Sequence, residues 1–175
     1  MITLIIGPMF SGKSTHLLMQ ERKALIANKN VLFFKHSIDN RYTESGQITT
    51  HDGANSKSKT IITSSLLRYV ENQDVQNAHI ILIDEGQFFN DLVDFCKLMS
   101  DKNIYISALS SDFQMKMFQP IIDLLGRSDR IIHQTAICRS CGEDAPYSYR
   151  KVANKSQTLI GGSDIYEPRC RKCFL

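Results

Sequence analysis

Glycines, a lysine, a serine, two adjacent carboxylates and four paired cysteines carry most of the chemistry legible in these 175 residues. Gly7-Pro8-Met9-Phe10-Ser11-Gly12-Lys13-Ser14-Thr15 satisfies G-x-x-x-x-G-K-[ST] directly after the apolar run at 2–6. A turn between a strand and a helix aims successive backbone N–H groups at a phosphate, and the helix N-terminus adds a favourable dipole. Lys13 would reach the β- and γ-phosphates and the Ser14 hydroxyl would ligate Mg²⁺, so the loop implies a nucleoside triphosphate with a metal. Further on, Ile80-Ile81-Leu82-Ile83 delivers Asp84-Glu85 at a strand tip, the place where open α/β sheets bind ligands. Asp84 would hold Mg²⁺ through water, leaving Glu85 to act as general base on an attacking hydroxyl.

Cys138-x-x-Cys141 and Cys170-x-x-Cys173 form two knuckles separated by 28 residues. Each presents two thiolates to a tetrahedral Zn²⁺, and a structural site is the reading preferred over a disulfide pair or unrelated core cysteines. The long gap implies an insert between the knuckles. Cys96 sits among Leu92, Val93, Phe95 and Met99 at helical spacing and reads as a small buried hydrophobe.

The elements that must position these groups follow from periodicity. Apolar runs at 2–6, 31–36, 59–63, 79–84, 104–109 and 130–134 read as strands, and segments 14–27, 65–71 and 90–100 as helices, with Ser64 or Ser65 and Asn90 as N-caps. Such alternation predicts an α/β domain built on a mostly parallel sheet. The span 37–58 is polar and aperiodic, a functional or mobile loop. Beyond residue 136 the pattern changes, so a nucleotide-binding domain at 1–136 and a zinc-binding domain at 137–175 are expected. Within the latter, 147–152 and 157–160 suggest a hairpin closed by Gly161-Gly162.

A formal charge of +3 and the lack of any lysine/arginine block interleaved with aromatics argue against nucleic acid as a partner. No apolar run approaches the ~20 residues that span a bilayer, and no secretory leader is evident. A cytoplasmic, reducing compartment is expected, where paired thiols hold metal rather than oxidise.

GPMFSGKST (7–15), DNRY (39–42), THD (50–52), IDEGQFF (83–89), the paired knuckles and IGGSDIY (160–166) together resemble the type II, cytosolic zinc-containing thymidine kinases of vertebrates, many bacteria and poxviruses. The resemblance covers nearly the whole chain. It implies a recombinase-like P-loop α/β fold, a mostly parallel sheet with helices on both faces, carrying a small zinc-binding lasso domain. It also implies transfer of the γ-phosphate of ATP to the 5′-hydroxyl of thymidine or deoxyuridine, in deoxynucleotide salvage, with Glu85 as the base. Asp39, Arg41 and Gln87 would join the phosphate loop and Asp84 near ATP and Mg²⁺. A fixed guanidinium at Arg41 suits the charge spread over a transferring phosphoryl group, although an arginine in a polar loop also reads as simply exposed.

For the nucleoside, the resemblance points to Met9, Phe88, Leu109, Phe113, Phe118 and Tyr166 as walls, and to Thr158, Leu159, Ile160 and Gly161 as the backbone segment that reads the base edge. Most of these would otherwise read as core residues. The Zn²⁺ would be structural, tying both feet of the lasso. A homotetramer and feedback inhibition by thymidine triphosphate are implied too. Met115 and Met117 depart from the basic residue and proline that many relatives carry between the two phenylalanines, which alters the deoxyribose wall but not the chemistry. The chain stops two residues after Cys173, without the tail of the vertebrate enzymes, which suggests a viral, bacterial or protist setting. The competing expectation is a DNA-associated ATPase with a zinc ribbon, which would need a basic face and DNA-binding loops.

Overall fold

The computed structural model describes residues 1–38 and 55–175; Asp39, Arg41 and the larger part of the polar span 37–58 lie outside them. Six apolar runs make one sheet: β1 Ile2–Gly7, β2 Val31–His36, β3 Thr60–Thr63, β4 Ile80–Asp84, β5 Asn103–Leu109 and β6 Arg130–His133. Their order is β3-β2-β4-β5-β1-β6 and every pairing is parallel.

A parallel sheet needs cover on both faces, and alternation along the strands supplies it. Leu4, Leu32, Phe34, Ile81, Ile83 and Ile106 pack on one side with α3 (Leu92–Leu98) and α4 (Gln119–Leu125). Ile5, Phe33 and Leu82 point the other way, onto Leu17 of α1 (Lys13–Ile26). Phe33 and Phe34 are neighbours in sequence, fully buried, and serve opposite cores. Each such ring contributes about 1.5–3 kcal/mol by leaving water, and Phe34 also meets Phe95 edge-on at 5.5 Å between centroids.

Because β4, β5 and β1 are adjacent, the segments leaving their carboxy ends converge. These are the glycine-rich turn after β1, Asp84-Glu85 after β4 and the segment 110–118 after β5.

After β6, β7 (Ala136–Ile137) pairs with β8 (Asp144–Ala145), and β9 (Tyr147–Arg150) runs antiparallel to β10 (Tyr166–Arg169). This corrects the expected hairpin. Tyr147–Arg150 pairs with Tyr166–Arg169, not with 157–160, and residues 151–165 form an excursion between them. The glycine pair still makes a turn, but one that feeds β10: Ile165 and Tyr166 both donate backbone N–H bonds to the Gly162 carbonyl, at 3.1 and 2.9 Å.

The helices differ from expectation in detail. Segment 65–71 holds only a 3₁₀ turn, Leu67–Tyr69, followed by the unanticipated α2 (Gln73–Asn77), whose Asn72 cap accepts from Asp74 N–H at 2.9 Å. Neither Ser65 nor Asn90 caps a helix. Ser65 donates instead to Asp91 Oδ2 at 2.7 Å, and Asp91, the residue before α3, also accepts from Leu67 N–H at 3.0 Å. The unanticipated α4 begins with Pro120 in its first turn, where a missing N–H costs nothing. A final short helix, α5 (Arg171–Phe174), closes the chain.

Candidate active site and metal cluster

The glycine-rich turn needs a backbone that few residues tolerate. Gly12, at φ 81°, caps α1 in the left-handed region, where a Cβ is disfavoured. Gly7 has no room for a side chain either, since a Cβ there would lie 2.5 Å from the Gln134 carbonyl oxygen. Lys13 is buried with its ammonium 2.5 Å from the Pro8 carbonyl, curled back over the loop. Ser14 Oγ donates toward Asp84, 3.2 Å from either carboxylate oxygen, and Ser107 Oγ donates to Asp84 Oδ1 as well. Buried Asp84 and the Ser14 hydroxyl thus converge as hard oxygen donors beside the loop, the donor set that suits Mg²⁺.

The chain kinks sharply after Asp84. Glu85 takes φ 53°, ψ 46°, an uncommon conformation for a non-glycine residue that persists where surroundings enforce it. Gly86 then packs so closely on β5 that a Cβ would meet Ile106 Cγ2 at 2.5 Å. Buried Gln87, expected beside the phosphates, donates from Nε2 to Glu85 Oε2 at 2.6 Å and accepts the Leu109 N–H at Oε1, 3.1 Å away. The kink therefore separates the two carboxylates, with Asp84 facing Ser14 and Glu85 facing a cleft.

That cleft is partly open to solvent. Met9, Phe88, Leu109, Phe113, Phe118, Thr158, Leu159, Ile160, Gly161 and Tyr166, all expected as nucleoside contacts, line it together with Glu85. Phe88 and Phe118 meet edge-on at 6.4 Å. Three lining residues were not anticipated: Asp112, Ser148 and Gln157. Ser148 accepts the Met9 N–H at 2.9 Å and so ties the phosphate loop to β9. Asp112 accepts from the backbone N–H groups of Gln114 and Lys116, at 2.8 and 3.0 Å, which folds the 112–118 segment on itself with Met115 at φ 61°. The Asp112 bond to the N–H two residues on is an Asx-turn, but neither Asp112 nor Ser148 stood in a pattern that marked it for the cleft.

Among the remaining expected residues, Phe10 turns away from the cleft and packs against the cysteine cluster, while Thr15 is exposed on the first turn of α1. Asp39 and Arg41 fall outside the described residues.

The sulfurs of Cys138, Cys141, Cys170 and Cys173 lie within 4.8 Å of one another, with Cys141 and Cys170 at 3.5 Å. All four are free thiols. A tetrahedron of Zn–S bonds near 2.3 Å has sulfur–sulfur edges of about 3.8 Å, so the cluster is of the size to hold such an ion. Its electrostatics agree. The backbone N–H of Cys170 draws the Cys138 thiol down to about 6, whereas hydrogen bonds from Cys170 and Cys141 push Cys173 up to about 12. Thiols crowded together resist successive loss of protons, and a bound cation removes that resistance. Cys96 stands apart in the main core, and burial raises its thiol to about 12.

Among the described residues no helix is long and apolar enough to cross a membrane. The thymidine kinase family model matches residues 1–174. The chain is 40% identical to the thymidine kinase of Variola virus, over 99% of this chain and 96% of the viral one. Identity to the cytosolic thymidine kinases of Cricetulus griseus and Bos taurus is 39% in each case, covering 99% of this chain and 72% and 71% of theirs. With the phosphate loop, the paired carboxylates and the aromatic cleft brought together at the carboxy ends of the central strands, and with these matches over nearly its full length, the chain belongs to the thymidine kinase family.

Proposed function

We propose that this thymidine kinase passes the γ-phosphate of ATP to the 5′-hydroxyl of thymidine, with Glu85 as general base. The observation that carries the reading is the shared cleft: Glu85, Met9 of the phosphate loop and the 157–161 segment bound a single space. A nucleoside seated among Phe88, Phe113, Phe118 and Tyr166 has its sugar end toward Glu85. The carboxylate takes the hydroxyl proton as oxygen attacks phosphorus, and the γ-phosphate leaves ADP for the new ester. Backbone N–H groups of 10–13, the Lys13 ammonium and, outside the described residues, Asp39 and Arg41 hold the phosphates. Ser14 and Asp84 would hold Mg²⁺, which when bound neutralises charge building on the phosphate oxygens.

Zinc at the four cysteines is structural on this reading, since four thiolates complete its shell and leave no open position for chemistry. It belongs to a second domain, 137–175, whose excursion supplies the nucleoside contacts. Deoxyuridine as a second substrate, thymidine triphosphate as feedback inhibitor, a homotetramer and a cytoplasmic setting complete the proposal. The test is ADP formation by purified protein with Mg²⁺ and ATP. It should depend on added thymidine; release that depends on DNA, or on nothing added, would overturn the reading.

A further inference from the structure

Arg150, at the end of β9, is only 7% exposed and does not line the cleft, yet all its donors are used. Nη1 donates to the carbonyls of Asn154 and Ser156 at 2.8 and 2.6 Å. Nη2 donates to the Gln157 carbonyl at 3.0 Å and to the Tyr166 hydroxyl at 2.7 Å, and Nε donates to the same hydroxyl at 3.1 Å. That hydroxyl passes its own proton on to the Leu159 carbonyl at 2.9 Å. The guanidinium also lies over the Phe113 ring, 3.7 Å from its centroid. One cation therefore fixes three backbone carbonyls of the excursion directly and a fourth through the Tyr166 hydroxyl, and it backs two aromatic walls of the cleft.

We infer that Arg150 is the positioning residue of the nucleoside-reading loop, holding 154–159 in a binding-competent shape before any nucleoside arrives. The inference rests on the reading of the cleft as the nucleoside site. Burying a guanidinium whose bonds go to carbonyls and a hydroxyl rather than a carboxylate is costly. A structural tie alone could use a neutral side chain. What a neutral side chain or a lysine lacks is a rigid planar fork of five N–H donors that can address three carbonyls and a hydroxyl together. Neither Arg150 nor the Tyr166 hydroxyl touches the reacting groups, so their removal acts on nucleoside affinity, not on phosphate transfer. A preformed loop spares the ordering cost that would otherwise weaken binding.

The experiment compares Arg150→Met and Arg150→Lys with the wild-type enzyme in steady-state kinetics, zinc content being measured for each. Thymidine KM should rise at least tenfold in both, while ATP KM and kcat at saturating thymidine stay within threefold. A folded, zinc-loaded variant with thymidine KM within twofold of wild type overturns the inference, as does an equal loss for both substrates. Wild-type hydrogen exchange tests it without any variant: the amides of Asn154 and Ser156, which donate to the Val152 carbonyl and to Asn154 Oδ1, should be protected in the absence of thymidine, and exchange there at the rate of free peptide overturns it. If those amides are protected alone but thymidine adds no protection at 157–161, the nucleoside reading of the cleft has failed instead.

Discussion

The amide of Gln87 donates to Glu85 Oε2 at 2.6 Å while its own oxygen accepts the Leu109 N–H at 3.1 Å. The second bond decides the first. A backbone N–H can only donate, so the amide oxygen must face Leu109 and the NH₂ group must face the carboxylate. The carboxylate of Glu85 is thereby held in one orientation, aimed as the proposed base must be.

Replacing Glu85 with Gln keeps shape and removes basicity. The expected result is unchanged KM for thymidine and ATP within a few-fold, with kcat lowered by about 10²–10⁴, the range for loss of a positioned base. Turnover near wild type in this variant would show that another group accepts the proton.

Metal removal should act on the lasso and not on the P-loop sheet. Cys138→Ser is expected to lose the ion, expose the 142–169 segment to protease and raise thymidine KM, because Cys138 and Cys170 tie opposite feet of that segment. Cys96→Ala, in the separate main core, should keep the ion. Elemental analysis of both variants, purified without chelator, decides; full metal retention in Cys138→Ser would refute the assignment.

Most of the sheet was legible because a parallel strand buried on two faces must be apolar throughout, as Ile80–Asp84 is until its last residue. Short helices were not. α2 and α4 carry seven residues or fewer, too few for periodicity to stand out, although Pro120 and Asn72 were start signals in plain view. The mispaired hairpin has a different cause. Tyr166–Arg169 contains Pro168, and proline demotes a segment as a strand, so the glycine pair drew the turn to the wrong place. Arg150 was invisible for a third reason. Its partners are backbone carbonyls, which leave no trace in residue identity, whereas the metal and phosphate sites are written in side chains at fixed spacing.

His16, on α1 beside the phosphate loop, should make stability depend on pH. Burial lowers its pKa below 6.5, helped by the charges of Lys23 and Arg130, and its ring nitrogens meet Gln20 and Gln134. The folded state thus binds this proton less readily than the unfolded chain. Its contribution is fully present above the unfolded value, about 6.5, and is lost as pH falls through the lower folded value. His16→Gln should flatten that acid limb in urea titrations between pH 7 and 5. An unchanged limb would assign it to other groups.

Base choice follows from how the excursion presents its backbone. Arg150 and Tyr166 hold the carbonyls of Gln157 and Leu159, and Gly161 sits so close to Ile165 that a Cβ would lie 2.3 Å from Cδ1 and 3.0 Å from Cβ. The segment is fixed on both sides, so its remaining N–H and C=O groups cannot exchange roles as a rotatable side-chain amide could. Thymine offers a donor at N3 between two ring carbonyl acceptors. Cytosine offers an acceptor at N3 and an amino group in place of one carbonyl, which would leave buried polar groups facing their own kind. Sites built on such bonds discriminate by about 10⁴ or more, whereas losing one methyl group alters binding by only ~1–3 kcal/mol. Deoxyuridine should therefore be a weaker but usable substrate and deoxycytidine nearly inert. Gly161→Ala, by pushing the segment off Ile165, should raise thymidine KM and narrow that gap. Competition kinetics with the two pyrimidines measure both, and a kcat/KM for deoxycytidine within tenfold of that for thymidine in the wild-type enzyme would rule out readout by the backbone.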